Sequence, residues 1–185
     1  MKVEFKKLSR DRLSAHSEKA RKAIGKVHEN QFIVIKEMVR LLVENHPTGS
    51  CCVFIFLPGI GSIYTLYDAL SVIAKSRNVH VLVLHSEIEL EHQQDAFKLL
   101  RANSVKIILS TNIADSSATI PDVTHVINCA IEKQIEMPNA ERTHAEVVMD
   151  TWCSRASALQ RSGRAGRVMP TTAFHYLRSH FGTCV

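Results

Sequence analysis

The chain has 185 residues, 45% of them apolar and 22% charged, which is ordinary for a soluble globular domain with its own core and room for a short appendage. A balance of 23 Lys+Arg against 18 Asp+Glu favours a polyanionic partner such as nucleic acid, although a plain surplus of surface lysine gives the same balance. The start MKVEFKKLSRDR carries no signal-peptide apolar region, and no apolar run approaches the ~18 residues of a membrane span, so the chain is expected to be neither secreted nor membrane-spanning.

Residues 1–30 are polar and basic without a sustained apolar face, and read as a linker or helical extension before the main domain, 31–185. From Gln31, Phe32, Ile33, Ile35, Met38, Val39, Leu41 and Leu42 recur at helical spacing, up to the breaker cluster His46-Pro47-Thr48-Gly49. Strands and helices then alternate. CCVFIFL (51–57) is a short continuous apolar run, as a strand buried on both faces would be. A turn at Pro58-Gly59 leads into a helix from Ile60 to about Lys75. A second strand is predicted at 79–85, an acidic-start helix at 87–102, a third strand at 105–111 and a fourth at 124–130. After the polar stretch EKQIEMPNAERTHAEVVMD, SRASALQRSGRAGR (154–167) reads as a helix and 172–177 as a last strand.

Buried strands alternating with helices predict an α/β fold, a mostly parallel sheet with helices on both faces. Ligands in such folds sit at the carboxyl ends of the strands. The turns after the first three strands, Pro58-Gly59, His85-Ser86 and Ser110-Thr111-Asn112, should therefore share one functional edge.

Five cysteines, at 51, 52, 129, 153 and 184, form no CxxC pair and no metal-ligand spacing. Cys51, Cys52 and Cys129 lie in apolar runs, where a thiol behaves as a small hydrophobe. Reduced thiols point to an intracellular compartment, the cytoplasm or alternatively the nucleus. The ten histidines are scattered, and no protein-bound metal is expected.

Two stretches could carry chemistry. In LQRSGRAGR (159–167), Arg161, Arg164 and Arg167 are spaced by three, which on a helix puts them on one slowly drifting face. Gly163 and Gly166 follow the same spacing, and each mid-helix glycine costs about 1 kcal/mol relative to alanine. Arginine forks match phosphate oxygens, so the stretch suits a polyphosphate clamp. It equally suits a solvated basic helix end with a glycine cap. In LSTNIADSSATIPDV (109–123), hydroxyl and amide side chains directly follow an apolar strand, as a sugar-phosphate binder needs and as an N-cap with a turn would also show.

Taken together these stretches resemble the DEAH/RHA group of superfamily 2 helicases. LQRSGRAGR is similar to motif VI in its QRxGRxGR form, STNIADSSATIPDV to motif V and VFIFLPGIGSI to motif IV. VLVLHSEIELEHQQDAF is similar to the segment with an LHS element and a terminal Phe, and all four stand in the family's order over about residues 31–180. NIADSS with PDV has a flavour of the spindle-E type Tudor-domain helicases. The resemblance implies a RecA-like three-layer second lobe of an ATP-dependent RNA helicase, hydrolysing NTP in the full-length protein. On it, Gln160 orients the attacking water, Arg164 and Arg167 are arginine fingers, and Arg161 makes a supporting contact in the lobe or across the cleft. Phe97 would stack on the base, where its spacing with Leu100 alone suggests core, and Thr119 would lie near the ribose. Ser86, Thr111, Asn112 and Ser117 would meet the RNA backbone or, in motif V, transmit the nucleotide state. His85 belongs to the same LHS element as Ser86. The segment between the fourth strand and the motif VI helix would hold a β-hairpin, with Trp152 packing.

Departures from the family pattern are Ser62, His92 and Asp115, each where Glu is usual. No GxxxxGK[ST] occurs, Gly25-Lys26 being followed by Val27, and no DEAH-type tetrapeptide. The expected partners are therefore single-stranded RNA, a first RecA-like lobe of the same protein that holds most of the ATP and Mg2+, and other RNA-processing proteins, with no membrane. The lobe is expected to be inactive alone, as a piece cut from a larger protein. The alternative is a helicase-derived module without catalysis that binds RNA or protein.

Overall fold

The computed structural model describes residues 31–45, 51–76, 78–99, 103–115, 120–136, 147–164 and 172–175. The expected extension 1–30 lies outside them. The elements are α1 (31–45), β1 (Cys51–Phe56), α2 (Ile60–Ser76), β2 (Val79–Leu84), α3 (Leu90–Gln94), β3 (Val105–Ser110), β4 (His125–Asn128), β5 (Ile131–Glu136), β6 (Val147–Trp152), α4 (Arg155–Ser162) and β7 (Thr172–His175). Short 3₁₀ turns occupy Asp95–Phe97 and Asn112–Asp115.

Among the described residues five strands form one sheet in the order β2-β3-β1-β4-β7, every neighbouring pair parallel. β1 is central and fully buried, because its CCVFIF run serves two cores by the period-2 alternation of a strand. Cys51, Val53 and Ile55 face a cluster with Ile35, Val39 and Val43 of α1 and Ile63, Leu66 and Leu70 of α2. Cys52, Phe54 and Phe56 face the other, with Leu84, Ala96, Ile108, Ala114, Ile120, Val123 and Val126. Trp152 packs against the first cluster, as expected of a packing residue. Cys51, Cys52 and Cys129 are buried free thiols, and burial pushes Cys129 up to about 12 and Cys52 higher still. No helix among the described residues is long and apolar enough to cross a membrane.

Three expectations need correction. The helix predicted over 87–102 is only α3 and one 3₁₀ turn in the described residues. Glu89 is extended at φ −56, ψ 140, and Lys98 turns the chain back to ψ 142, so the helical register lasts two short turns. The fourth strand stops at Asn128 rather than 130, because Ala130 adopts φ 59, a left-handed conformation that costs an L-residue about 1–2 kcal/mol. The motif-bearing helix ends at Ser162, with Gly163 as its C-cap at φ −68. Arg161 and Arg164 therefore do not share one helical face: Arg161 turns inward and Arg164 follows the cap, while Arg167 lies outside the described residues.

Candidate nucleotide and RNA edge of the sheet

The strand register sets the site. Leu84, Ser110, Phe56, Asn128 and His175 are aligned across the sheet as the last residues of β2, β3, β1, β4 and β7. The predicted turns after the first three strands accordingly share the carboxyl edge, where open α/β sheets take ligands. Ser86 and Asn112 are exposed on it, whereas Thr111 is 3% exposed. The Thr111 hydroxyl is the one buried side-chain oxygen without a hydrogen-bond partner among the described residues. His85 is buried, its Nδ1 accepting from the Glu87 N–H at 3.2 Å. Ser110 Oγ donates to the Leu84 carbonyl at 2.9 Å, locking β3 to β2 just before the turn. At Gly59 the side chain of Lys133 crosses so closely that an added Cβ would lie 2.7 Å from Lys133 Cε.

Of the residues that fix α4, Arg161 was expected to make a supporting contact, whereas its partners Asn128 and Glu132 were not legible in the sequence. Arg161 is 1% exposed, donates from Nη1 to Asn128 Oδ1 at 3.0 Å and from Nη2 to Glu132 Oε2 at 2.8 Å, and lies 5.2 Å above the Phe56 ring. Such charge-assisted bonds and a desolvated cation–π contact fasten the helix to three strands. The expected supporting role of Arg161 is thus an intralobe one. Ala130 makes it possible: its strained turn, held by its N–H to Asn128 Oδ1 at 3.0 Å, swings the chain from β4 into β5 and brings Glu132 beneath the guanidinium. β5 and β6 pair antiparallel, as expected of the hairpin region.

A chain of hydrogen bonds continues outward. Asn128 Nδ2 is a donor, so His175 Nδ1, 3.2 Å away, accepts, and Nε2–H donates to Ser162 Oγ at 2.7 Å. Ser162 Oγ donates in turn to the Ala158 carbonyl at 2.8 Å. The imidazole is therefore neutral in this network. Its pKa falls below the ordinary 6.5, first through burial and second through the nearby Arg161 charge. The unfolded chain then takes up a proton at a higher pH than the folded lobe, so this contribution to stability is complete above about pH 6.5 and drains away as pH falls through the lower folded value. The expected result is a thermal midpoint that drops on acidification from neutral pH, with a flatter profile in His175→Gln. An unchanged slope in that variant would remove His175 from the account.

Of the other sequence-predicted residues, Gln160 is exposed on the last turn of α4, and Arg164, just past the cap, is half-buried with its N–H on the Arg161 carbonyl at 3.1 Å. Gly163 leaves ordinary room, an added Cβ meeting only the Gln160 and Leu159 carbonyls at 3.5 Å, so nothing within the described lobe demands glycine there. Phe97 is partly buried against the second core at the end of its 3₁₀ turn. Ser117 and Thr119 lie outside the described residues. No group of three or more His, Cys, Asp or Glu side chains among the described residues could hold a metal ion.

Residues 33–169 match the family described as helicase conserved C-terminal domain. The chain is 40% identical over 129 residues to the ATP-dependent RNA helicase TDRD9 of Danio rerio, covering 70% of this chain and 9% of that protein. It is 42% identical over 132 residues to the ATP-dependent RNA helicase DHX29 of Homo sapiens, covering 70% of this chain and 10% of that protein. It thus spans about a tenth of the length of these relatives. The crystal structure of the E. coli DExH-box NTPase HrpB superposes with a TM-score of 0.67 at 31% identity, over 80% of this chain and 17% of that one.

Proposed function

Because this chain belongs to the helicase conserved C-terminal domain family, in its DEAH/RHA branch, we propose that it is the second motor lobe of an ATP-dependent RNA helicase, supplying arginine fingers and an RNA-backbone surface. The observation that carries the reading is the anchoring of α4. Arg161 is bound inside the lobe, and this leaves Gln160 and Arg164 at the exposed end of a fixed helix beside the carboxyl edge of the sheet. A buried arginine with two polar partners is an expensive anchor for a surface that does nothing.

In the proposed reaction, ATP with its Mg2+ is held mainly by a first lobe of the same protein. The metal ion would neutralise phosphate charge there; no group of three or more His, Cys, Asp or Glu side chains among the described residues of this chain suits it. Gln160 orients the attacking water, while Arg164 and Arg167 stabilise the charge that develops on the transferred phosphoryl group. Phe97 stacks on the base and Thr119 meets the ribose. Ser86, Thr111, Asn112 and Ser117 bind the sugar-phosphate backbone of single-stranded RNA without reading its sequence. The Thr111 hydroxyl, buried and unpartnered among the described residues, engages RNA only if its turn shifts, which suits a contact made in one nucleotide state.

The half-site reading has a direct test. This 185-residue chain alone should show no RNA-stimulated ATP turnover above background, and the protein carrying both lobes should show it. Robust turnover by the chain alone would overturn the reading.

A further inference from the structure

A second buried cation lies on the same side of the sheet as Arg161, against the second core. Lys106, the second residue of the interior strand β3, is 2% exposed and packs in register between His80 of β2 and Cys52 of β1. Its Nζ donates to the Ala96 carbonyl at 3.1 Å, to the Lys98 carbonyl at 3.0 Å and to Asp122 Oδ1 at 2.7 Å. An ammonium has three N–H donors, and these three acceptors use them all. Two of the acceptors are the carbonyls immediately before and after Phe97.

We propose that Lys106, backed by Asp122, is a positioning residue that sets the Phe97 ring for the nucleotide base. The inference rests on the base-stacking reading of Phe97 given above. The turn that carries Phe97 is short: its 3₁₀ helix has three residues and ends at Lys98, where the backbone is extended. So brief a helix has little hydrogen bonding of its own to hold a ring in place. Ala96, the preceding residue, is fully buried in the second core, while Phe97 itself is only partly covered by it. Lys106 ties the carbonyls on both sides to one point, and Asp122 holds that point from the loop before β4. Were the site mere filling, a leucine or methionine would occupy it without the desolvation cost of an ammonium. A cation here returns a fixed backbone around one aromatic side chain. Asp122 also closes the PDV end of the stretch resembling motif V, so the same tie joins the base-side turn to the segment that leads from the RNA side.

The test uses the full-length protein and steady-state hydrolysis of ATP and UTP. Phe97→Ala is the control for the base-stacking reading and should raise KM for ATP about fivefold or more. Lys106→Met with Asp122→Asn removes the tie without stranding a buried carboxylate. It should raise KM for ATP about threefold or more, leave kcat within about twofold, and narrow the preference for ATP over UTP. Adding Phe97→Ala to that pair should raise KM no further than Phe97→Ala does alone. Lys106→Gln, which keeps a donor for one carbonyl, is the milder variant and should lie between wild type and the pair. If Phe97→Ala leaves KM unchanged, the stacking reading fails and the inference falls with it. If Phe97→Ala raises KM but the Lys106 variants do not, or if their effects multiply with that of Phe97→Ala, stacking stands and the positioning role is overturned.

Discussion

Arg164→Ala in the protein that carries both lobes is expected to lower ATP turnover by about a thousandfold, the lower end of what an arginine finger contributes. That corresponds to ~4 kcal/mol of transition-state stabilisation. The magnitude follows from where charge develops. A phosphoryl group in transfer spreads negative charge over its equatorial oxygens, and a preorganised guanidinium answers it without reorganising at the moment of reaction. On the proposed reading the C-cap sets the position of Arg164: its N–H is tied to the Arg161 carbonyl, so its backbone follows the anchored end of α4. The change should fall on kcat rather than on KM, because a finger acts in the transition state more than in the ground state. Arg164→Lys should recover little, since an ammonium lacks the planar fork. The fold should not suffer, because Arg164 is half-exposed and lies past the helix end. Wild-type turnover in Arg164→Ala, with a normal melting profile, would sink the finger assignment.

The parts of this lobe that were legible in sequence are those set by local periodicity. CCVFIF announces a doubly buried strand by its unbroken apolar run, and the two-core alternation of β1 follows from strand geometry alone. That the turns after the strands share one edge follows from the common direction of strands in any parallel sheet, and the aligned ends Leu84, Ser110, Phe56, Asn128 and His175 meet that expectation. What escaped is long-range polar pairing. Asn128 reads as one polar residue in an apolar run and Glu132 as part of a charged excursion, yet 33 and 29 residues separate them from the arginine they bind. Ala130 carries no sign of its left-handed backbone, because alanine has no preference for it and the tertiary contacts impose it. Lys106, inside VKIILST, gave the one available hint: a charge within a strand buried on both faces must find partners. The length of LQRSGRAGR as a helix was misjudged for a related reason. Spacing by three fits a helix face, but Arg161 is consumed by the core, so the repeat does not describe one surface.

Arg161→Met should destabilise the lobe by about 3–5 kcal/mol, the usual consequence of removing one member of a buried ion pair. For a domain of this size the thermal midpoint moves roughly 2–4 °C per kcal/mol, so a fall of about 10 °C is expected. The reason is what remains behind. Glu132 is 7% exposed and its Oε2 loses the guanidinium, leaving, among the described residues, only the Gln134 amide on Oε1 at 2.9 Å. Asn128 keeps Ala130 on its Oδ1 but loses its charged donor, and Phe56 loses the cation above its ring. The stranded carboxylate dominates, and this gives the test its discriminating arm. Arg161→Met combined with Glu132→Leu removes both charges and fills the volume with apolar atoms, so it should recover much of the loss. Hydrogen exchange at the amides of α4, Arg155–Ser162, should quicken in the single variant and return toward wild type in the double. Turnover should behave differently. The apolar pair restores burial but not the directed bonds from Arg161 to β4 and β5 that fix the end of the helix, so the double variant should melt near wild type and still hydrolyse ATP more slowly. A single variant within about 1 kcal/mol of wild type would refute the anchoring account, because no buried carboxylate of this kind tolerates the loss of its partner so cheaply. A double variant with both normal stability and normal turnover would show that α4 needs only to be packed, not directed, for the fingers to act.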